Sequence, residues 1–151
     1  MKSIKAIVGD SDITTVDVLT TVADAARLMT ARHIGAVPVL DGSRLAGIFS
    51  ERDMMGRVVA VGLDPEATIV GDVMSTGLIV AEVGESYEVC LQRMQQAHVR
   101  HLLVLDSGKL AGVVSLRDLL AVELDEKDEA LTLLNAYVHY VPADLQAKPR
   151  S

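Results

Sequence analysis

Residues 39–54, VLDGSRLAGIFSERDM, return at residues 104–119 as VLDSGKLAGVVSLRDL, at a constant offset of 65 and without a gap. Nine of the sixteen positions are identical: Val39/Val104, Leu40/Leu105, Asp41/Asp106, Leu45/Leu110, Ala46/Ala111, Gly47/Gly112, Ser50/Ser115, Arg52/Arg117 and Asp53/Asp118. Other pairs, such as Arg44/Lys109 and Ile48/Val113, keep their chemical character. A chain built twice from one unit closes its core by stacking the copies, and the seam between them is a natural place for a ligand. The polar Ser-x-Arg-Asp recurs along with the apolar pattern, so it needs an explanation of its own.

Working outward, Ala36–Leu40 and Arg44–Phe49 read as two strands joined by a turn through Asp41-Gly42-Ser43. Upstream, the β-branched run Ile13–Val18 reads as a strand. Thr21 to Asp24 has a capping-box pattern opening a helix, with Val22, Ala25, Ala26 and Met29 at helical spacing and an end near Gly35. Downstream, a helix starts at Ser50 and runs to about Val61, with Gly62 as its stop and Pro65 in the loop beyond. The second copy repeats the order: a strand over Leu78–Val83, a helix over Ser86–Ala97 capped by Ser86, strands at His101–Leu105 and Lys109–Val114, and a helix from Ser115.

The expected fold is therefore α/β (α+β): two pseudo-symmetric β-α-β-β-α repeats packed sheet to sheet, helices outward, each with a right-handed crossover. Ile69-Val70-Gly71-Asp72 echoes Ile7-Val8-Gly9-Asp10 at an offset of 62, so each copy is expected to open with the same lead-in. The repeats are placed at residues 8–62 and 69–124, with a linker at 63–68 and a C-terminal helical extension and tail at 125–151. In that extension Leu131, Leu134, Tyr137 and Val138 form an apolar stripe, while Glu123–Glu129 is acidic and solvated. Pro142 is the expected stop, and Ala143–Ser151 is expected to fray.

Composition removes several function classes. Half of the 151 residues are apolar, enough for a core that buries roughly two-thirds of the unfolded surface. No run of eighteen apolar residues occurs, and Met1–Asp10 lacks a signal-peptide layout, so a cytoplasmic protein is expected. A single cysteine fits a reducing compartment. The net charge of −7 argues against a nucleic-acid partner, and four aromatic residues provide no stacking platform. An anionic small molecule stays compatible, because helix N-termini and a few arginines bind phosphate whatever the global charge.

The repeated tetrapeptide has a purely structural reading. Ser50 and Asp53, like Ser115 and Asp118, can form a reciprocal capping box, a contribution of about 0.5–2 kcal/mol to the helix. That reading leaves Arg52 and Arg117 unexplained, since a cation near a helix N-terminus opposes the macrodipole. A bound phosphate would reconcile them, because amide N–H groups, the hydroxyl and the guanidinium would all face one anion. A nearby aspartate could then accept from a pair of sugar hydroxyls.

The element order, the run Ile34-Gly35-Ala36-Val37-Pro38-Val39-Leu40-Asp41 and the pieces Gly47–Asp53 and Gly112–Asp118 together resemble the CBS domain, two of which pair as a Bateman module. The resemblance covers about Val8 to Leu124, and the chain looks like the stand-alone CBS-pair proteins of bacteria. It implies a regulatory sensor that binds AMP, ADP, ATP, NAD(H) or S-adenosylmethionine between the repeats and needs no cofactor. By the same resemblance Asp53 and Asp118 accept from ribose hydroxyls, and Ser50 and Ser115 sit near phosphate or ribose, beside Arg52 and Arg117. Thr15, Val16, Ala36, Val37 and Pro38 would line the adenine pocket of the first copy. Leu78, Ile79 and Leu102 would do so in the second. Arg100-His101 stands where the first copy has Gly35-Ala36, and related modules use basic residues there on phosphate. The family's common proline, present as Pro38, is Leu103 in the second copy.

Other chemistry has less support. His98 and His101 are spaced i, i+3, but no Cys, Asp or Glu at ligand spacing completes a metal site. His33 matches His98, and both fall at helix ends, where capping is the expected role. Cys90 aligns with Ala25 on an apolar helix face and reads as packing. Neither Ser50 nor Ser115 lies in a nucleophile elbow, so an enzyme is not expected. The remaining alternative to a sensor is an interaction adaptor whose sites are degenerate. By resemblance and by the spare apolar stripe, a homodimer acting on a downstream protein is expected.

Overall fold

In the computed structural model, which describes residues 3–8 and 13–139 and side chains as far as 136, thirteen segments follow in order. The first half contains α1 (Ile4–Val8), β1 (Val16–Asp17), α2 (Val22–Arg32), β2 (Ala36–Asp41), β3 (Arg44–Ser50) and α3 (Glu51–Met54), which continues as a π-helical turn over Met55–Val59. The second contains α4 (Val70–Val73), β4 (Val80–Glu82), α5 (Tyr87–Ala97), β5 (His101–Asp106), β6 (Lys109–Ser115) and α6 (Leu116–His139). The expected β-α-β-β-α order is present twice.

Each repeat forms a three-stranded sheet, β1-β2-β3 or β4-β5-β6, with a parallel first pair and an antiparallel second pair. The registers match residue for residue: Val39 faces Gly47 and Val104 faces Gly112, with a register slip immediately after each. The first strand is shorter than the Ile13–Val18 expected from β-branching, and Pro38 accounts for it. In the second sheet the Leu103 N–H donates to the Ile79 carbonyl at 3.0 Å, alongside the Val80–Leu103 pair. Pro38, the counterpart of Leu103, has no N–H, so the corresponding rung is missing and β1 begins only at Val16.

Thr21 and Ser86 cap α2 and α5 by accepting from the amides of Asp24 and Val89. Both helices end at a histidine in the left-handed region, His33 and His98 at φ 55°, whose N–H groups bond back to Met29 and Thr30 or to Met94 and Gln95 carbonyls. The first helix therefore stops at Arg32, before the expected Gly35. The helix after Ser50 keeps α geometry only to Met54. Its next turn is wider, with Ala60 N–H bonding the Met55 carbonyl at 2.9 Å, and Gly62 lies beyond at φ 78°.

Two hydrophobic cores result, and each borrows from the other half of the sequence. Val22, Met29, Val37, Val39 and Phe49 pack with Val70 and Val73 of α4. Cys90, Met94, Leu102, Val104 and Leu119 pack with Ile4 of α1. The lead-ins are thus exchanged between the repeats. Their equivalence is also offset by 66 rather than 62: Ile4 N–H bonds the Glu85 carbonyl as Val70 N–H bonds Thr20, and Ser3 pairs Ser86 as Ile69 pairs Thr21. The tetrapeptide echo misplaced the pairing by four residues, about one helical turn; Gly9 and Asp10 of that echo lie outside the described residues.

Helix α6 runs unbroken from the end of β6 through the acidic stretch and across the boundary expected at 124/125. That stretch is not solvated throughout, because Glu126 accepts from the hydroxyl of buried Tyr87 at 2.8 Å. This hydrogen bond to a carboxylate raises the phenol pKa to about 12. Leu124, Leu131, Leu133 and Leu134 are exposed along α6. Tyr137 and Val138, expected in the same stripe, have no described side chain, and Pro142 with Ala143–Ser151 lies outside the described residues. Among the described residues no helix is long and apolar enough to cross a membrane.

Candidate functional site

Two clefts lie between the repeats, each built where a capped helix start of one repeat faces the strands of the other. In the first, cleft A, Ser50 ends β3 and caps α3. Its Oγ accepts from the Asp53 amide at 3.2 Å, and Asp53 Oδ2 accepts from the Ser50 amide at 3.0 Å. The structural reading of the tetrapeptide thus holds as far as it goes. Asp53 does more: its Oδ1 accepts from Ser75 Oγ at 2.9 Å and lies 3.9 Å from Arg57 Nε. Ser75 is held there by a reciprocal pair of backbone bonds with Ile48, at 2.8 and 2.9 Å. Arg57 is anchored in turn by donating to the Met74 carbonyl at 2.8 Å. With this roof, Asp53 is 8 % exposed and is the buried polar residue among those described. The opposite wall of the cleft, about 230 Å³ in volume, comes from Leu78, Ile79, Arg100, His101 and Leu103.

Cleft B is the pseudo-symmetric counterpart. Ser115 Oγ accepts from the Asp118 amide and Asp118 Oδ2 from the Ser115 amide, both at 3.0 Å, at the start of α6. Asp118 is exposed. One lobe, of about 640 Å³, sets Ser115, Arg117 and Asp118 against His33, Ile34 and Ala36. A second, of about 230 Å³, sets Ile13, Thr14 and Pro38 against Ala111, Gly112 and Val113.

These positions correct the grouping read from the sequence. Ala36 and Pro38 do not share a cleft with Ser50, Arg52 and Asp53; Ala36 faces the other helix start, and Pro38 faces Ala111–Val113 of β6. Leu78, Ile79 and Arg100 likewise join Ser50, Arg52 and Asp53 rather than Ser115, Arg117 and Asp118, whereas His101 lines both clefts. The reason is that the seam lies between the copies, so each polar helix start meets the partner repeat. Val16, Val37 and Leu102 line neither cleft, because they are buried in the cores. Strand alternation turns Val37 and Leu102 inward and leaves Ala36, Pro38, His101 and Leu103 to the clefts. Thr15 lines neither cleft; Ile13 and Thr14, two and one residues earlier, line cleft B.

Several site residues escaped the sequence reading. Strand parity was sufficient to find Leu103. Ser75 required the exchanged lead-ins, and Gly35, Ile48 and Glu51 lay inside the quoted motifs without being assigned to the site. Arg52 and Arg117 are both exposed and line clefts A and B respectively. His101 is half-buried, and burial holds its pKa below the ordinary 6.5, while nearby Glu51 pulls it the other way. Cys90 is buried in the second core, where burial pushes its thiol up, in keeping with packing.

The CBS-domain family profile matches residues 4–60 and again residues 70–125. The CBS domain-containing protein YhcV of Bacillus subtilis is 34% identical over 125 residues, covering 83% of this chain and 89% of YhcV. Among solved structures, a protein with CBS domains from Burkholderia ambifaria superposes with a TM-score of 0.77 at 34% identity, covering 82% of this chain and 95% of that one. The structure of CBSX2 in complex with AMP shares the fold, with a TM-score of 0.67 at 21% identity over 83% of this chain and 98% of that one.

Proposed function

The chain belongs to the CBS-domain family as a tandem pair, and from that premise we propose that it is a regulatory module binding an adenosine-bearing ligand in clefts A and B. The carrying observation is the composition of cleft A. A serine–aspartate helix start from one repeat, with Arg52, meets apolar Leu78, Ile79 and Leu103 and basic Arg100 and His101 from the other. Such a wall suits a flat base, a hydroxyl-bearing sugar and a phosphate in sequence. The fold accommodates AMP in CBSX2, which supports the reading.

In this reading Asp53 and Asp118 accept from ribose hydroxyls, Ser50 and Ser115 sit beside sugar or phosphate, and Arg100 with His101 favours a phosphorylated ligand in cleft A. Ala36 and Pro38 take the base in cleft B. AMP, ADP, ATP, NAD(H) and S-adenosylmethionine are the candidate ligands. A ligand spanning both repeats shifts the population of their arrangements, and α6, which begins at cleft B, carries the change outward to a partner protein. The module acts without catalysis, in the cytoplasm and as a homodimer; the buried lone Cys90 and the exposed leucines of α6 support these placements.

One observation favours a second reading, an adaptor with degenerate sites: both Asp53 oxygens already accept hydrogen bonds within the protein. Thermal melting separates the two. At about 100 times Kd a ligand adds roughly 2.7 kcal/mol, a clear shift in Tm. No shift with any of the five candidates would favour the adaptor. If a shift is found with AMP, 2′-deoxy-AMP is expected to bind more weakly, because a carboxylate loses its partner. Arg100→Ala should weaken AMP far more than adenosine.

A further inference from the structure

We propose that His101 is a recognition residue shared by both clefts, so that a phosphate bound in either one is accompanied by uptake of a proton from solvent onto the His101 imidazole. The inference rests on the nucleotide reading above and adds a single ionisable residue that serves two ligands.

His101 opens β5 and lines cleft A and the larger lobe of cleft B alike. Gly35 and Glu51 also line both, and the three form a partition between the clefts. Both side chains approach residue 35 closely: a Cβ there would lie 3.1 Å from Glu51 Oε1 and 3.7 Å from His101 Nε2. The partition breaks the pseudo-symmetry. At an offset of 65 the counterparts of Gly35, Glu51 and His101 are Arg100, Leu116 and Ala36, so the partition carries an imidazole from the second repeat with no equivalent from the first.

The charges around the imidazole come from every neighbouring element. The start of α3 contributes Glu51, Arg52 and Asp53, and the start of α6 contributes Arg117 and Asp118. Arg100 precedes His101 in the chain, and the helix-end histidines His98 and His33 line cleft A and cleft B. Burial keeps the imidazole neutral near pH 7, against the pull of Glu51, Asp118 and Asp53 and with the help of Arg100. A phosphate adds two negative charges beside a ring already flanked by carboxylates, and a protonated ring becomes a donor to it.

The test is isothermal titration of the full chain with AMP and with adenosine, in pairs of buffers that differ in ionisation enthalpy. AMP should show net proton uptake and bind more tightly as pH falls from 8 towards 7, by up to about tenfold per pH unit, the linkage limit for one proton. Adenosine should show neither, and His101→Gln should abolish both. Sharing is read from Arg100→Glu, which closes cleft A to anions, and Arg117→Glu, which closes cleft B. His101-dependent uptake should persist in each variant for the cleft left open; its loss in one of them would overturn the sharing. Equal AMP heats in both buffers would overturn the proton coupling, absence of AMP binding would overturn this proposal, and absence of binding by all five candidate ligands would overturn the nucleotide reading as well. If His101→Gln does not fold, the His101 ring signal followed by NMR titration decides: its midpoint must rise when AMP is added, and an unmoved midpoint refutes the proposal.

Discussion

Asp53 and Asp118 occupy the same reciprocal cap, three residues after a serine at the end of a strand, yet one is buried and the other exposed. The local hydrogen bonds are equal because the local sequence is equal. What differs, among the described residues, is the contact each carboxylate gains from beyond its own cap. Ser75, two residues beyond α4, roofs Asp53 with a hydroxyl, and among the described residues no side chain does the same for Asp118. The residue after the serine differs too, Glu51 against Leu116. Identity between the repeats builds two equivalent sheets and caps, and the non-identical positions make the clefts unequal in charge and burial.

The largest test of that comparison concerns the exchange of lead-ins. Ile4 is fully buried in the second core although it precedes the first repeat in the chain. Ile4→Ala should cost about 2–5 kcal/mol, as for other large-to-small changes in cores. Amide exchange should rise first in β5 and β6, not in β2 and β3. Faster exchange confined to the first sheet would mean that each lead-in serves its own repeat.

A smaller effect is expected at the two identical glycines. A Cβ on Gly47 would lie 2.6 Å from Met74 Sδ and 2.7 Å from the Ser75 carbonyl oxygen. On Gly112 it would lie 2.5 Å from Val8 Cγ1, the near contact among the described residues. Gly47→Ala should cost about 1–3 kcal/mol by overpacking. Adding Met74→Ala should leave most of that cost, because the carbonyl stays. Gly112→Ala should be relieved by Val8→Ala, since there a side chain is the obstacle. Urea unfolding of the four variants checks this, and full rescue of Gly47→Ala would show that the α4 backbone yields.

Most of the fold was legible because the repeat carried its own control: two copies of one pattern had to give one element order. Boundaries failed where one residue overrode the pattern, as Pro38 did for β1 and His33 for the end of α2. The clefts were harder to read. Ser50, Arg52 and Asp53 were identifiable from their spacing, but their companions come from the other repeat, and nothing local in a sequence says which copy a helix start will face. Strand parity could have excluded Val37 and Leu102, whose neighbours Pro38 and Leu103 do the lining. Glu51 and Gly35 become visible only when distances are known, since their significance is a shared wall.

The smallest effect separates the two aspartates themselves. Asp53→Ala removes the acceptor for the Ser50 amide and for the half-buried Ser75 hydroxyl, and strips Arg57 of its nearby carboxylate. Leaving such groups without partners costs about 1–3 kcal/mol. Asp118→Ala removes one bond to the Ser115 amide at an exposed helix start, where water can substitute, so about 0.5–1.5 kcal/mol is expected. Ser75→Ala provides the control. It should narrow the gap between the two aspartates, because the Asp53 substitution then orphans one group fewer, and the double variant should be less destabilised than the sum of the singles. Equal costs for Asp53→Ala and Asp118→Ala, with Ser75→Ala additive to both, would show that the roof over cleft A contributes nothing to holding its carboxylate.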